Sequence, residues 1–585
     1  MREQSNQSWS GMASAILMLA VAVLTACTPK QSPVAGPQAG PGTFADIIYH
    51  GGPIITVADA LPSAEAVAVG EGLILAVGSE ANVMEMAGPD TKVVNLNGLT
   101  LVPGFIDGHA HLGGFGAQAM SANLLAQPDG EVNNIEKLVA ELQSQIDSPD
   151  VARMGGWIVG MGYDDAVLAE RRHPTRDDLD KVSTESPVLA VHISGHFAAV
   201  NSVGLARIGY SAATEDPAGG VIRRLPDSNE PNGVLEELAS IPVVNRVLSP
   251  TTIEAQTYLL EQSQQMAMSF GYTTAQEGRA FKASHQAFID FAEKGLLDID
   301  VVAYIDYADR DLIDSYGSGV EYRNRYRIGG MKLTLDGSPQ GRTAWRTLPY
   351  LLPPQGQSSD YRGYPAIPDD ADVAALYDEA FAKGWQVLAH ANGDAAADQL
   401  IRSMRPAREK YGPADRRPVL IHGQLLRIDQ LDALAELQVI PSLFPMHTFY
   451  WGDWYDEIIG PELAQQISPM RSALDRGMIA TSHTDAPVAL PNLMQVMSAT
   501  VNRVSRSGKI MGPDERLTPL EALKAITLWS AYQHFEEGRK GSIEVGKLAD
   551  LVILSANPLT VDPMQLGQIK VLETIKEGKT VYRAE

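Results

Sequence analysis

The chain has 585 residues, 45% of them hydrophobic and 20% charged, enough to bury a large core and too many for one minimal domain. Its formal charge of −25, with no Lys/Arg-rich run, repels a phosphate backbone and excludes nucleic acid as a partner. The 52 glycines and 36 prolines are scattered between apolar runs, which excludes a low-complexity polymer and predicts many short turns.

The first element is the apolar run "ASAILMLAVAVLTAC", Ala13 to Cys27. It is shorter than the roughly 20 residues a membrane span needs and reads as the core of a signal peptide. Its last residue, Cys27, is the only cysteine, so the chain forms no internal disulfide. "LTAC" resembles the lipobox of bacterial lipoproteins. The resemblance implies a signal peptide over 1–26, lipid on Cys27, and an exported chain anchored to the cell envelope, facing the periplasm or the outside. Arg2 and Glu3 cancel, which departs from the usual positive start, and a plain secretory signal with an incidental cysteine is the alternative. The Pro/Gly/Ser/Gln-rich stretch "TPKQSPVAGPQAGPG" makes 27–43 a flexible tether.

From Ala45 the texture becomes β-rich. "ADIIYHGGPIITV", "AEAVAVGEGLILAVGS" and "TKVVNLNGLTLV" are short β-runs broken by Gly and Asn-Gly turns. "GSIEVGKLADLVILS" and "KVLETIKEGKTVYR" near the C-terminus repeat that texture. The expectation is one small β-sandwich built from both chain ends, 44–101 and 541–585.

Between them, strand-like and helix-like runs alternate, the pattern of a parallel α/β fold. The strand runs are "GFIDGHAH", "TTAQEG", "IDVVAYIDY", "GMKLTLDG", "WQVLAHANGD", "VLIHG", "VIPSLFP" and "MIATSHTDAPV". Helical patterns such as "DVAALYDEAFAKG" and "RIDQLDALAELQ" separate most of them. Roughly eight β/α units predict a (β/α)8 TIM barrel over 102–540. Residues from about 120 to 250 contain their own strands and read as an insertion after the first barrel strand.

Polar residues mark the strand ends. His109 and His111 end the first, Lys332 lies in the fourth, His390 ends the fifth, His422 the sixth and Asp485 the eighth. In a barrel those ends meet at one rim, where active sites form, so six metal-type ligands converge. His109 and His111, at i and i+2 of one strand, point to the same side and can reach one ion together. The glycines around them are expected to leave room for ion and substrate. Singly, each residue has a plainer reading: a core histidine, a turn aspartate, a snorkelling lysine. Joint placement on five strands, where apolar residues pack better, favours a metal site. Glu277 ends the second strand and can ligate metal or lie behind a ligand. Asp336 shares the strand parity of Lys332 and can orient a ligand or the substrate. His447 follows the seventh strand in "FPMHTFYWGDWYD", whose aromatics can line a substrate pocket or simply pack the loop.

The motifs "PGFIDGHAHL", "RRHPTRDDLDKVSTESPVLAVHISGHFAAVNS", "MKLTLDGSPQGRTA", "LAHANGDAAAD", "LIHGQ", "SHTDAPV" and "GKLADLVILSANP" together resemble the amidohydrolase superfamily, in its amidohydrolase-3 branch. The resemblance covers nearly the whole chain after the tether and implies a hydrolase with one or two divalent ions, zinc before iron or manganese. It implies that His109, His111 and Asp485 hold the first ion, His390 and His422 the second, and that Lys332 bridges them as a carbamate. It implies attack of metal-bound hydroxide on a carbonyl C–N bond, with Asp485 also shuttling the proton, and places His196 against the substrate. The partner is then a small-molecule amide, with a homo-oligomer left open. A deaminase or an ester, lactone or phosphoester hydrolase of the same superfamily is the alternative, and a non-catalytic metal- or ligand-binding lipoprotein is another.

Overall fold

The computed structural model describes residues 44–585 apart from 218–219, 251 and 355–356. The signal-peptide and tether assignments, Cys27 included, lie outside the described residues. Among the described residues no helix is long and apolar enough to cross a membrane.

A curled parallel sheet of eight strands dominates: β1 (Phe105–Ile106), β2 (Tyr272–Ala280), β3 (Asp300–Asp306), β4 (Tyr326–Thr334), β5 (Gln386–Ala391), β6 (Val419–His422), β7 (Ile440–Leu443) and β8 (Thr481–Ser482). Each pairs in parallel with the next. Every residue of β3 is buried, as expected of a strand covered on both faces. The sheet's two ends meet just beyond the strands, where Asp485 N donates to His109 O (3.1 Å) and His111 N to Ala486 O (2.9 Å). The result is a TIM-barrel-like α/β fold.

The helices outside the sheet follow local rules. Asp370–Lys383 starts at Asp369, whose side chain accepts from Ala371 N, and stops at Gly384 with φ 72°. Its buried residues Val373, Tyr377, Ala380 and Phe381 fall at the i, i+4, i+7, i+8 spacing of one helical face.

The two chain ends meet in a second sheet. Ile47–Ile55, Ser63–Gly70, Leu73–Gly78, Lys92–Asn95 and Thr100–Pro103 join Leu551–Leu554, Val571–Lys576 and Lys579–Arg583. The expected sandwich is instead one hydrogen-bonded sheet that turns back on itself, since Leu73 bridges to Leu548 just before Leu551–Leu554. The cause is an irregularity between His50 and Ile54. It lets one strand pair Lys92–Asn95 with its first half and Thr100–Pro103 with its second. A third sheet, six-stranded, is inserted between β1 and β2 and includes Ile158–Tyr163, Val188–His192, Phe197–Val200 and Pro231–Glu237.

At the foot of the barrel Asp300, the first residue of β3, is buried with Lys540 Nζ 2.5 Å and Lys576 Nζ 2.7 Å from Oδ2, and Arg325 Nη1 3.0 Å from Oδ1. Lys576 also donates to Asp550 (2.8 Å), tying the C-terminal strands to the barrel. Burial opposes ionisation of Asp300, yet the charges and hydrogen bonds of Lys540 and Lys576 hold its carboxyl well below the usual range. Asp300→Ala strands two buried ammonium groups, and a loss of about 3–5 kcal/mol in urea unfolding is expected. A change within experimental error would show that Asp550 and Glu536 suffice to neutralise the lysines.

Candidate metal centre

The segment after β1 turns His109 and His111 inward at the rim. His109 is buried; its Nδ1 donates to Gln276 Oε1 (2.6 Å), while Lys332 Nζ donates to its Nε2 (3.0 Å). These partners fix a neutral tautomer with the Nε2 lone pair facing inward, which is the form a metal takes. Burial, then the charges of Lys332 and the nearby imidazoles, push the His109 pKa well below its ordinary value. Burial likewise brings Lys332 down to about 7.

His111 behaves differently. Its Nε2 lies 3.4 Å from Asp485 Oδ1 and its Nδ1 3.8 Å from Glu277 Oε1. Burial opposes its protonation, but the attraction of the Asp485 and Glu277 carboxylates outweighs that and raises its pKa to about 9. Burial also opposes ionisation of Asp485, yet the His111 hydrogen bond and charge keep that carboxyl below the usual range. Glu277 spends its other oxygen on Gly113 N (3.0 Å) and sits behind His111, so it supports that ring and is not part of the cavity wall.

Asp485 reaches further ligands. Its Oδ1 is 3.7 Å from His109 Nε2 and its Oδ2 3.8 Å from His422 Nε2. His422, buried at the end of β6, has its Nδ1 3.1 Å from His483 Nε2, and His483 Nδ1 lies 3.1 Å from Ser442 Oγ. Burial and neighbouring imidazoles keep His422 neutral, and burial takes His483 down to about 3. His483 was not singled out in the sequence, although it stands two residues before Asp485 with the same parity as the His109/His111 pair. The His390 ring is 4.6 Å from that of His422, with Nδ1 3.1 Å from Asp336 Oδ1. Asp336 in turn accepts from Asn392 N (2.9 Å), Gly393 N (2.7 Å) and Trp345 N (3.0 Å), which fixes its carboxylate beside His390 without a hydrogen bond to that ring's Nδ1.

Ligand-type atoms of His109, His111 and Asp485 lie within 4.8 Å of one another, a spacing that can close on one ion. Lys332, His390 and His422 line the same cavity, of about 190 Å³, together with His196, Asp336, His447 and Arg279. His196 Nδ1 is 2.8 Å from Glu237 Oε2. His447 is pushed by burial to about 3, so it is a neutral group, and lies 2.7 Å from Tyr455 Oη. Of the aromatics around it, Phe444 faces the cavity, whereas Trp451 and Tyr455 pack behind the imidazole. Those two are loop packing. Two of the glycines around the first two histidines are also filled by protein and leave no room for ligand: a Cβ on Gly108 would stand 2.9 Å from Ser482 O, and one on Gly114 2.6 Å from Pro487 Cδ.

Residues 92–582 match the sequence profile described as the amidohydrolase family. The chain belongs to that family. YtcJ of Bacillus subtilis (strain 168), named as an amidohydrolase, is 28% identical over 92% of this chain and 99% of its own length. The N-substituted formamide deformylase of Arthrobacter pascens is 26% identical over 89% of this chain and 95% of its own. A solved structure of an uncharacterized metal-dependent hydrolase from Pyrococcus horikoshii shares the fold, with a TM-score of 0.69 and 24% identity over 88% of this chain and 99% of that one. Family membership makes hydrolysis the reaction class, and the rim supplies a group of residues able to hold a metal ion.

Proposed function

We propose that the protein hydrolyses a carbonyl C–N bond of a small non-peptide amide. The observation that carries this reading is the buried Lys332 amine, with a pKa near 7, 3.0 Å from His109 in a cavity that also holds His111 and Asp485. The donors fit a divalent ion, zinc before iron or manganese: a tautomer-fixed imidazole, a second imidazole, and a carboxylate held ionised. His109, His111 and Asp485 would hold the first ion and His390 with His422 a second. When bound, the ion supplies an acidified water and a Lewis acid for the carbonyl oxygen.

The chain's own groups do the rest. Asp485, ionised and 14% exposed in its side chain, takes the water proton at a carboxylate oxygen and delivers it to the leaving nitrogen. Lys332 is poised to react as a free amine with carbon dioxide: a C–N bond forms, one proton leaves, and an anionic carbamate replaces a buried cation. Arg279, whose Nε donates to Asp306 Oδ2 (2.7 Å), and His196 stand on the cavity wall for polar groups of the substrate. We read the barrel as occupying 102–540 and residues 1–26 as the export signal ahead of a lipid-bearing Cys27, so extracytoplasmic amides such as N-acyl amino acids are the first substrates to test.

The experiment is zinc-loaded full-length chain against a panel of N-acyl amino acids, esters and lactones, with free amine or acid as readout and intact mass for the carbamate. Amine release from an amide, together with one added carbon dioxide on Lys332, is expected. Turnover of esters or lactones alone would move the reaction to the other branch of the superfamily.

A further inference from the structure

The strands Ile158–Tyr163 and Val188–His192 run side by side on the inserted sheet, with Tyr163 opposite His192. The turn after the first therefore brings Asp164 and Asp165 against His192. A carboxylate oxygen from each aspartate and a ring nitrogen of His192 lie within 4.8 Å of one another. His192 Nε2 is 3.1 Å from Asp165 Oδ1, and His173 Nε2 stands 4.0 Å from Asp165 Oδ2.

Charge balance is what makes this cluster unusual. Asp164 is 6% exposed; its Oδ1 accepts from Ala166 N (3.0 Å), and its Oδ2 is buried with no hydrogen-bond partner. Among the described residues the ion pairs of Asp165 are with imidazoles alone, and Asp164 has none. The orphaned oxygen of Asp164 is buried beside a second carboxylate, and no cationic side chain among the described residues pairs with Asp164. A simple Asp165–His192 pair leaves the Asp164 oxygen unexplained. A divalent cation between them satisfies all three groups.

We propose that Asp164, Asp165 and His192 bind a further divalent cation of the zinc type, separate from the barrel rim, with His173 beside it as the next donor. Mixed imidazole and carboxylate donors suit zinc better than calcium or magnesium, which favour all-oxygen shells. Ser194 Oγ lies 2.8 Å from His192 Nδ1 and the Ser194 N–H donates to the same nitrogen (3.1 Å), so ligation through Nε2 would require that N–H to give way to the Oγ as partner. Ser194 and His196 both line the rim cavity, so the cation would pin the wall that carries His196.

The test uses the full-length chain with cobalt(II) alone as probe and two sets of variants. In H109N/D485N, which removes two of the three ligands of the first rim ion, cobalt with visible d–d absorption is expected to remain, and adding H192Q should lower it by about one equivalent. In the otherwise unaltered chain, H192Q or D164N should lower zinc per chain by about one equivalent. Unchanged zinc in H192Q overturns the proposal whatever the rim does, and so does a folded H109N/D485N chain that takes up no cobalt. If H109N/D485N fails to fold by circular dichroism, the zinc count in H192Q and D164N decides alone. Failure of amide turnover with the H192Q metal loss intact would count against the proposed reaction and not against this site.

Discussion

Asp485→Asn is expected to leave a folded chain whose turnover is lower by about 10²–10⁴-fold, the range for losing a positioned acid–base group. Asp485 sits at φ 52°, a left-handed conformation that Asn tolerates as well as Asp, and its N–H still reaches His109 O. The amide also keeps the side chain's volume, so packing is conserved. What changes is charge. His111 loses the nearer of its two carboxylate partners, burial then dominates, and its imidazolium becomes easier to deprotonate. The fold is therefore spared an unpaired cation while the site loses both a proton acceptor and an anionic ligand. The check is kcat, KM and zinc per chain in parallel with thermal unfolding. A drop in kcat with a folded protein fits the assignment, and full activity overturns it.

Much of this arrangement can be read in the sequence, because apolar runs that end in a polar residue carry both the strand and its site. β2 to β6 each coincide with such a run, and Lys332, His390 and His422 stand where those runs place them. The supports of the site were harder to see. Gln276, which fixes the His109 tautomer, lies 167 residues away in the chain, and Ser442 meets His483 across 41. Periodicity reports the face a side chain takes on its own element and says nothing about which distant partner meets it there. The same limit explains Glu277: parity brings it to the rim, but only the antiparallel bridge to His111 shows that it lies behind that ring. It also explains the folded single sheet, since an irregularity at His50–Ile54 leaves no composition signal. His483 is the one support that parity alone could have found, through its i, i+2 relation to Asp485.

Removing and restoring the metal should expose the proton balance of the rim. A strong chelator is expected to abolish turnover, and zinc to restore it with an apparent affinity that rises about tenfold per pH unit between pH 7 and 8. The sign follows from the metal-free groups. His109 and His422 are already neutral there, because burial drives both well below 6.5, and Asp485 is already ionised. His111, raised to about 9, is protonated at pH 7 and must lose that proton before its nitrogen can donate to an ion. Loading at pH 7 therefore releases about one proton from His111, and carbamate formation on Lys332, near 7, would release one more plus the fraction still held as ammonium. Calorimetric titration in buffers of different ionisation enthalpy counts those protons directly. Glu277→Gln tests the cause: with one supporting carboxylate gone, the His111 pKa falls, fewer protons leave on loading, and the pH slope flattens. A wild-type affinity that is flat from pH 7 to 8, with no proton release, would remove His111 from the ligand set and leave Asp485 with His109 as its remaining partner of the metal-spaced group.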